Sequence, residues 1–202
     1  MPLATLDPAD GREGIPHLRS PIRWMVCWMV AVLLLTSSCA TKRFRCPSSA
    51  MMPTMYAGDI FRAELDPYDG RGPARGDIVV FTPPPGAEAK KGTYFLKRVI
   101  GLPGELIEMD DFEVFIDGQR LDEPYLLLPG PDAPGRAADN LATIRRQQIP
   151  PGQYYLMGDN RSNSYDSRAF GPVPLDLIIA RALVVTRSGY DGQKGKDLTR
   201  TE

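Results

Sequence analysis

The chain has 202 residues, 43% of them hydrophobic, which is enough for one sizeable domain with a core of its own. Its net charge of −1 lacks the strongly basic balance that nucleic-acid-binding domains need. The single histidine, His17, precedes the long apolar segment, so we expect no Ser-His-Asp triad in the domain that follows. The cysteines and the histidine do not have zinc-ligand spacing, and we expect no metal and no other cofactor.

The first forty residues predict a tail followed by a membrane segment. Residues 1–20 are polar, contain Pro and Gly, and are expected to be disordered. Residues 24–35 are uncharged and apolar; as a helix they would rise about 18 Å, and their neighbours extend the segment to 21–40, near the lower limit for crossing a bilayer. We favour a signal-anchor helix that leaves residues 41–202 outside the cytoplasm. A cleaved lipoprotein signal stays open, because the sequence before Cys39 loosely resembles a lipobox.

The remainder of the chain predicts a mostly β domain. Short stretches rich in Val, Ile, Phe and Tyr alternate with turns that contain Pro and Gly. Residues 120–149 contain the least strand-like sequence and are expected to form a variable excursion, and helix signals are nearly absent after residue 40. Strands are predicted at residues 60–65, 77–81, 94–100, 106–116 (which then turns at Asp117-Gly118), 153–157 and 178–186.

Three motifs carry the chemistry. Residues 47–55 read PSSAMMPTM, residues 94–105 read YFLKRVIGLPGE, and residues 158–168 read GDNRSNSYDSR. In type, order and spacing they resemble type I signal peptidase, a family of membrane-bound serine proteases with a Ser/Lys dyad, and the resemblance extends over residues 44–187. It implies the mostly β signal-peptidase/LexA-like fold. In that family the residue before Met-x-Pro-Thr is the nucleophilic serine, whereas this chain has Ala50 there.

Lys97 is predicted to be the general base. It lies in an apolar strand, next to Leu96 and close to Val99 and Ile100. A solvated lysine has a pKa near ~10.4, but burial disfavours the charged amine and lowers the pKa. The neutral amine can then accept a proton from a hydroxyl. A lone lysine in a strand more often points to solvent, and the resemblance of the surrounding motif is what favours the catalytic role.

The resemblance also implies roles for several polar residues. The Ser48 hydroxyl would form an oxyanion hole together with the main-chain amide of residue 50, which alanine keeps. The Ser164 hydroxyl would hydrogen-bond the lysine amine and fix its direction. Asp166 and Arg168 would form a pair that braces the loop. The supporting residues are therefore Asp159, Arg161, Ser164, Asp166 and Arg168.

The same resemblance predicts the substrate and its location. The C-terminal part of a signal peptide would lie extended along residues 44–48 and 94–96, where shallow apolar pockets select small side chains. The pocket residues would be Phe44, Cys46, Met51 and Leu96, which could equally be core residues. The partners would be signal peptides of secreted preproteins and membrane lipid, at the extracytoplasmic face of the bacterial inner membrane, with no nucleic acid.

Activity is a separate question, because Ala50 has no hydroxyl. Losing the nucleophile of a serine protease costs on the order of 10⁶ in turnover. Ser49 is one residue early and is expected to point in another direction. We therefore expect an inactive chain, in which either a serine was replaced by design or the natural protein is a non-catalytic signal-peptide-binding pseudoprotease or lipoprotein. LexA-like regulators share the Ser/Lys core, but they are cytosolic and bind DNA, for which this chain has no basic recognition helix.

Overall fold

The protein is described from a computed structural model. The structure describes residues 40–68, 70–90, 92–126 and 142–199. The predicted tail and all but the last residue of the predicted membrane segment lie outside these ranges. Across the described ranges, every helix is too short or too polar to cross a bilayer.

The described residues form a mostly β fold, which confirms the predicted fold class. A short helix, α1 (Ser167–Phe170), precedes the last two strands. In chain order the strands are β1 (Thr41–Arg45), β2 (Ile60–Leu65), β3 (Ile78–Phe81), β4 (Phe95–Gly101), β5 (Leu106–Asp110), β6 (Glu113–Ile116), β7 (Gln119–Arg120), β8 (Ile144–Gln148), β9 (Gln153–Met157), β10 (Val173–Pro174) and β11 (Ile178–Arg187).

The larger sheet has the strand order β1-β2-β11-β3-β4-β9-β10, and its pairs are antiparallel. β1 is the strand at one edge. β4 is buried along almost its whole length, as its apolar sequence predicts. Residues 95–97 of β4 pair only with β3, because β9 joins β4 from Arg98 onward. This leaves one side of residues 95–97 without a strand partner.

The smaller sheet has the order β7-β6-β5-β8 and corrects two expectations. The prediction of one strand over residues 106–116 is wrong, because the chain reverses at Asp111 and Phe112, with φ of 42° and 68°. This turn has no Gly or Asn to signal it. β8 lies inside the predicted excursion at 120–149. Only Ile144 of β8 is buried, so pairing with β5, rather than an alternating sequence, holds the strand in place. Residues 127–141 lie outside the described ranges.

One buried cluster positions the loop that follows β1. Phe44 of β1, Phe61 of β2 and Leu96 of β4 pack in this cluster together with Met51 and Met55 of the first motif. All five side chains are at most 9% exposed. Burying apolar side chains of this size stabilises the loop by about 1.5–3 kcal/mol for each side chain. The first motif is therefore held against the sheet at β4, where Lys97 lies.

Candidate active site

The segment after β1 carries Ala50 in a short buried turn. Residues Ser49–Met51 form a 3-10 helix in which Ala50 is 6% exposed. The Ala50 N–H donates to the Ser48 hydroxyl at 3.4 Å, and the Ala50 carbonyl accepts from the Asn160 N–H at 3.0 Å. The two groups predicted to form an oxyanion hole are therefore adjacent, and the turn is tied directly to the third motif.

Lys97 is buried in β4, opposite Val79 of β3. Its side chain is 5% exposed, and its Nζ lies 5.6 Å from the centroid of the Phe95 ring. The strand packs against the turn Ser49–Met51. Burial lowers the pKa of Lys97, although the negative charge of Asp166 opposes this shift. An amine whose neutral form is favoured in this way has the property that a general base requires near neutral pH.

Gly158 lets the third motif approach Ala50 closely. Its N–H donates to Asp166 Oδ2 at 3.0 Å. A Cβ atom at this position would lie 2.5 Å from the Ala50 carbonyl oxygen and 2.6 Å from the Ser164 Cβ, closer than real Cβ atoms approach. The Ser164 hydroxyl is buried at this contact and has no hydrogen-bond partner among the described residues. The bond from Ser164 to the Lys97 amine is therefore not formed in this structure, and that role stays a prediction.

Asp166 and Arg168 form a buried ion pair. Arg168 Nε lies 2.8 Å from Oδ1 and Nη2 lies 2.9 Å from Oδ2, so the pairing is bidentate. Burial alone would raise the pKa of the Asp166 carboxyl, but the hydrogen bonds and charge of Arg168 outweigh burial and lower the pKa. Asp166 Oδ1 also caps α1 by accepting from the Arg168 N–H. The third motif thus presents a fixed, ionised carboxylate to its neighbours.

A second buried ion pair joins the second and third motifs. Arg98 donates to Asp159 Oδ1 through Nε at 2.9 Å and to Oδ2 through Nη2 at 2.7 Å. Burial lowers the pKa of Arg98, but the bonds to Asp159 outweigh this effect and raise the pKa overall. The Thr54 hydroxyl donates to the same carboxylate, and the guanidinium lies 3.8 Å from the centroid of the Tyr125 ring. This network fixes the residue next to Lys97.

Arg161 has a buried partner that the sequence analysis missed. Its guanidinium pairs with Glu123, and its Nε donates to the Gly158 carbonyl at 3.1 Å. Glu123 lies in the segment predicted to be a variable excursion, so its position along the chain gave no signal of this contact. The ion pair holds the start of that segment against the third motif.

The four predicted pocket residues share one buried cluster. Cys46 and Leu96 are 2% and 1% exposed, so their side chains belong to the core of the domain. The Cys46 thiol is free and donates to the Ser48 carbonyl at 3.3 Å. Burial raises the pKa of Cys46 to about 11. The group brought together beside Ser48 is therefore Phe44, Cys46, Met51 and Leu96.

Comparison with known proteins identifies the family. The family model described as "Signal peptidase, peptidase S26" matches residues 19–186. The chain is 39% identical to the probable signal peptidase I-1 of Synechocystis sp. over 85% of its own length and 80% of that protein. It is 34% identical to the signal peptidase I of Leptolyngbya laminosa over 91% and 88% of the two chains. It is 32% identical to the signal peptidase I of Bacillus caldolyticus over 79% and 86%. The chain therefore belongs to the signal peptidase family, peptidase S26.

Proposed function

We propose that the site is a signal peptidase I-type Ser/Lys-dyad site that lacks its nucleophile, so that this chain binds signal peptides but does not cleave them as it stands. The observation that carries the proposal is the burial of Lys97 in β4, against the turn that holds Ala50. A buried lysine costs stability unless it is used. Membership of the signal peptidase family supports the class of substrate.

The chemistry of the complete dyad follows from the groups around position 50. In a form with serine there, the neutral Lys97 amine would accept the hydroxyl proton while the oxygen attacks the scissile carbonyl carbon. The Ser48 hydroxyl and the amide of residue 50 would stabilise the negative charge on the carbonyl oxygen. The Lys97 ammonium would then protonate the leaving amine. Water would hydrolyse the acyl-enzyme in a second step with the same base.

Ala50 removes the first step of this sequence. Ser49 is a poor substitute, because its hydroxyl accepts from Asn163 Nδ2 at 3.1 Å and is therefore turned toward the third motif. The oxyanion donors remain, since alanine has the same main-chain amide as serine. Turnover without the nucleophile is expected to be lower by a factor on the order of 10⁶.

The substrate would be the C-terminal part of a signal peptide in an extended conformation. β1 is an edge strand, and residues 95–97 of β4 have one side without a strand partner. A peptide that pairs with an exposed strand edge gains main-chain hydrogen bonds, and alternate side chains enter pockets. Small side chains near the scissile bond would fit a surface whose apolar residues, Cys46 and Leu96, are already packed in the core.

The proposed location is the extracytoplasmic face of the bacterial inner membrane. Residues 21–40 would anchor the domain there, and the alternative is a lipid on Cys39 after cleavage. Mass spectrometry of the purified mature protein distinguishes the two. An intact N-terminus supports the anchor, whereas an N-terminus at Cys39 with the mass of a lipid contradicts it.

The test of the dyad is gain of function. Ala50→Ser is expected to cleave a purified preprotein in detergent, while the parent chain does not. Adding Lys97→Ala to the Ala50→Ser variant should abolish cleavage, because no base remains. Adding Lys194→Ala instead is the matched control, since Lys194 is exposed, and it should leave cleavage unchanged. Cleavage by the parent chain that depends on Lys97 would contradict the proposed inactivity.

A non-catalytic binding protein is the second candidate, and Ala50 itself favours it. In that case the remainder of the site serves recognition alone. If Ala50→Ser stays inert while the chain still binds a signal peptide, the binding protein is the better description. If neither form binds nor cleaves, both candidates are wrong.

A further inference from the structure

The main chain of Arg45 faces the free edge of the larger sheet. In the antiparallel pairing of β1 and β2, alternate residues of β1 bond to β2. The Cys46 N–H donates to the Asp59 carbonyl at 2.7 Å, and the Cys46 carbonyl accepts from the Gly58 N–H at 2.9 Å. By this alternation, the N–H and C=O of Arg45 point away from β2, toward the side where a further strand would pair.

The Tyr94 hydroxyl occupies both of these groups. It accepts from the Arg45 N–H at 3.3 Å and donates to the Arg45 carbonyl at 2.7 Å. A tyrosine hydroxyl can both donate and accept, so one side chain replaces the main-chain pair of a neighbouring strand. The Tyr94 ring packs edge-on against Phe44 at 5.4 Å, and Phe44 stacks on Phe61 at 5.8 Å. We call this arrangement the Tyr94 cap.

The position of the Tyr94 cap matters because few complete pairs exist on this edge near Ala50. The edge-facing residues of the segment are Arg43, Arg45 and Pro47, by the same alternation. Pro47 has no N–H, so Arg45 offers the complete N–H and C=O pair nearest to Ala50. A peptide strand that reaches Ala50 along this edge meets the Tyr94 hydroxyl where it would form its own bonds.

We propose that the Tyr94 cap is a displaceable gate on the substrate edge: a signal peptide replaces the Tyr94 hydroxyl on the main chain of Arg45. The inference rests on the function proposed above. Tyr94 directly precedes β4, so its side chain extends from the second wall of the proposed cleft to the first. An exposed strand edge is also a site of unwanted pairing between chains. The Tyr94 cap covers that edge when no substrate is bound, and each peptide must compete with it.

The test removes only the hydroxyl. Tyr94→Phe keeps the ring that packs on Phe44, and Tyr190→Phe is the matched control. The Tyr190 ring stacks on Tyr56 at 4.2 Å, and its hydroxyl has no hydrogen bond among the described residues. Because Ala50 leaves a bound peptide uncut, equilibrium affinity can be measured by fluorescence anisotropy. The probe is a labelled synthetic signal peptide with alanine at the first and third positions before its scissile bond.

Tyr94→Phe is expected to bind the peptide about tenfold more tightly than the parent, which is about 1.4 kcal/mol, while Tyr190→Phe matches the parent. The Arg45 amide should also exchange hydrogen faster in unbound Tyr94→Phe than in the parent, and peptide should restore its protection. Equal or weaker peptide affinity of Tyr94→Phe, or unchanged Arg45 exchange, overturns the gate and leaves the proposed function standing. If no form binds the peptide, the proposed function fails and the gate fails with it.

Discussion

Gly158→Ala is expected to destabilise the domain through the contact between the third motif and Ala50. The added Cβ would lie 2.5 Å from the Ala50 carbonyl oxygen and 2.6 Å from the Ser164 Cβ, and closer still to the Ser164 hydroxyl. The first two atoms cannot move by side-chain rotation, so the backbone of one motif must shift. Gly158 is not in the left-handed region, so the cost is steric. Overpacking of this kind costs typically about 1–3 kcal/mol, and backbone contacts favour roughly 3 kcal/mol here.

The assay is thermal unfolding of the full chain in detergent, followed by near-ultraviolet circular dichroism. A loss of roughly 3 kcal/mol corresponds to a fall in Tm of roughly 6–12 °C for a domain of this size. Gly189→Ala is the control, since a Cβ there meets nothing within 4 Å, and it should stay within about 0.5 kcal/mol of the parent. Ser164→Ala in the Gly158→Ala background should recover only part of the loss. A Gly158→Ala protein that melts with the parent would refute the close approach of the two motifs.

Three further predictions concern buried charges and the thiol. Lys97→Met should raise stability near about pH 7: the pKa of Lys97 is lower in the fold than its unfolded value of about 10.4, so its cost is present at lower pH and is relieved as the pH rises through that interval. Denaturant unfolding should show the difference narrowing toward about pH 11, and a pH-independent difference would contradict burial of the amine. Asp159→Asn should cost about 3–5 kcal/mol in the same measurement because Arg98 stays buried and unpaired, whereas Glu113→Gln at an exposed ion pair should cost at most about 1 kcal/mol; equal effects would argue against burial of the first pair. Cys46, with a pKa raised to about 11 by burial, should react with iodoacetamide far more slowly in the folded chain than in denaturant at about pH 8, as mass spectrometry of its peptide would measure, and equal rates would contradict its burial.

Local sequence was sufficient for most of the strands and for the candidate residues of the site. β2, β3, β4, β9 and β11 each coincide with an apolar stretch bounded by turn residues, because a strand is signalled by a few consecutive side chains. Lys97 was identified because it interrupts such a stretch. Ala50 was identified because the motif around it is nearly complete. Asp166 and Arg168 are two residues apart, so their pairing also lies within reach of a local pattern.

Features that join distant segments could not be obtained in this way. The turn at Asp111 and Phe112 has no Gly or Asn to mark it, and β8 is held by its partner rather than by its own polar sequence. The bond between Thr54 and Asp159 joins residues 105 positions apart, and that between Tyr94 and Arg45 joins residues 49 apart. No local periodicity carries information about such contacts.

The sequence by itself determined the family, the order of the three motifs and the absence of a hydroxyl at position 50, because these are properties of residue identity. The tertiary structure decided how those residues are used. Burial lowers the pKa of Lys97, since desolvation depends on all the surrounding side chains. The close approach of Gly158 to Ala50 and the Tyr94 cap on Arg45 depend on how the sheet brings its edge to β4 and the third motif. Only packing in three dimensions sets these distances.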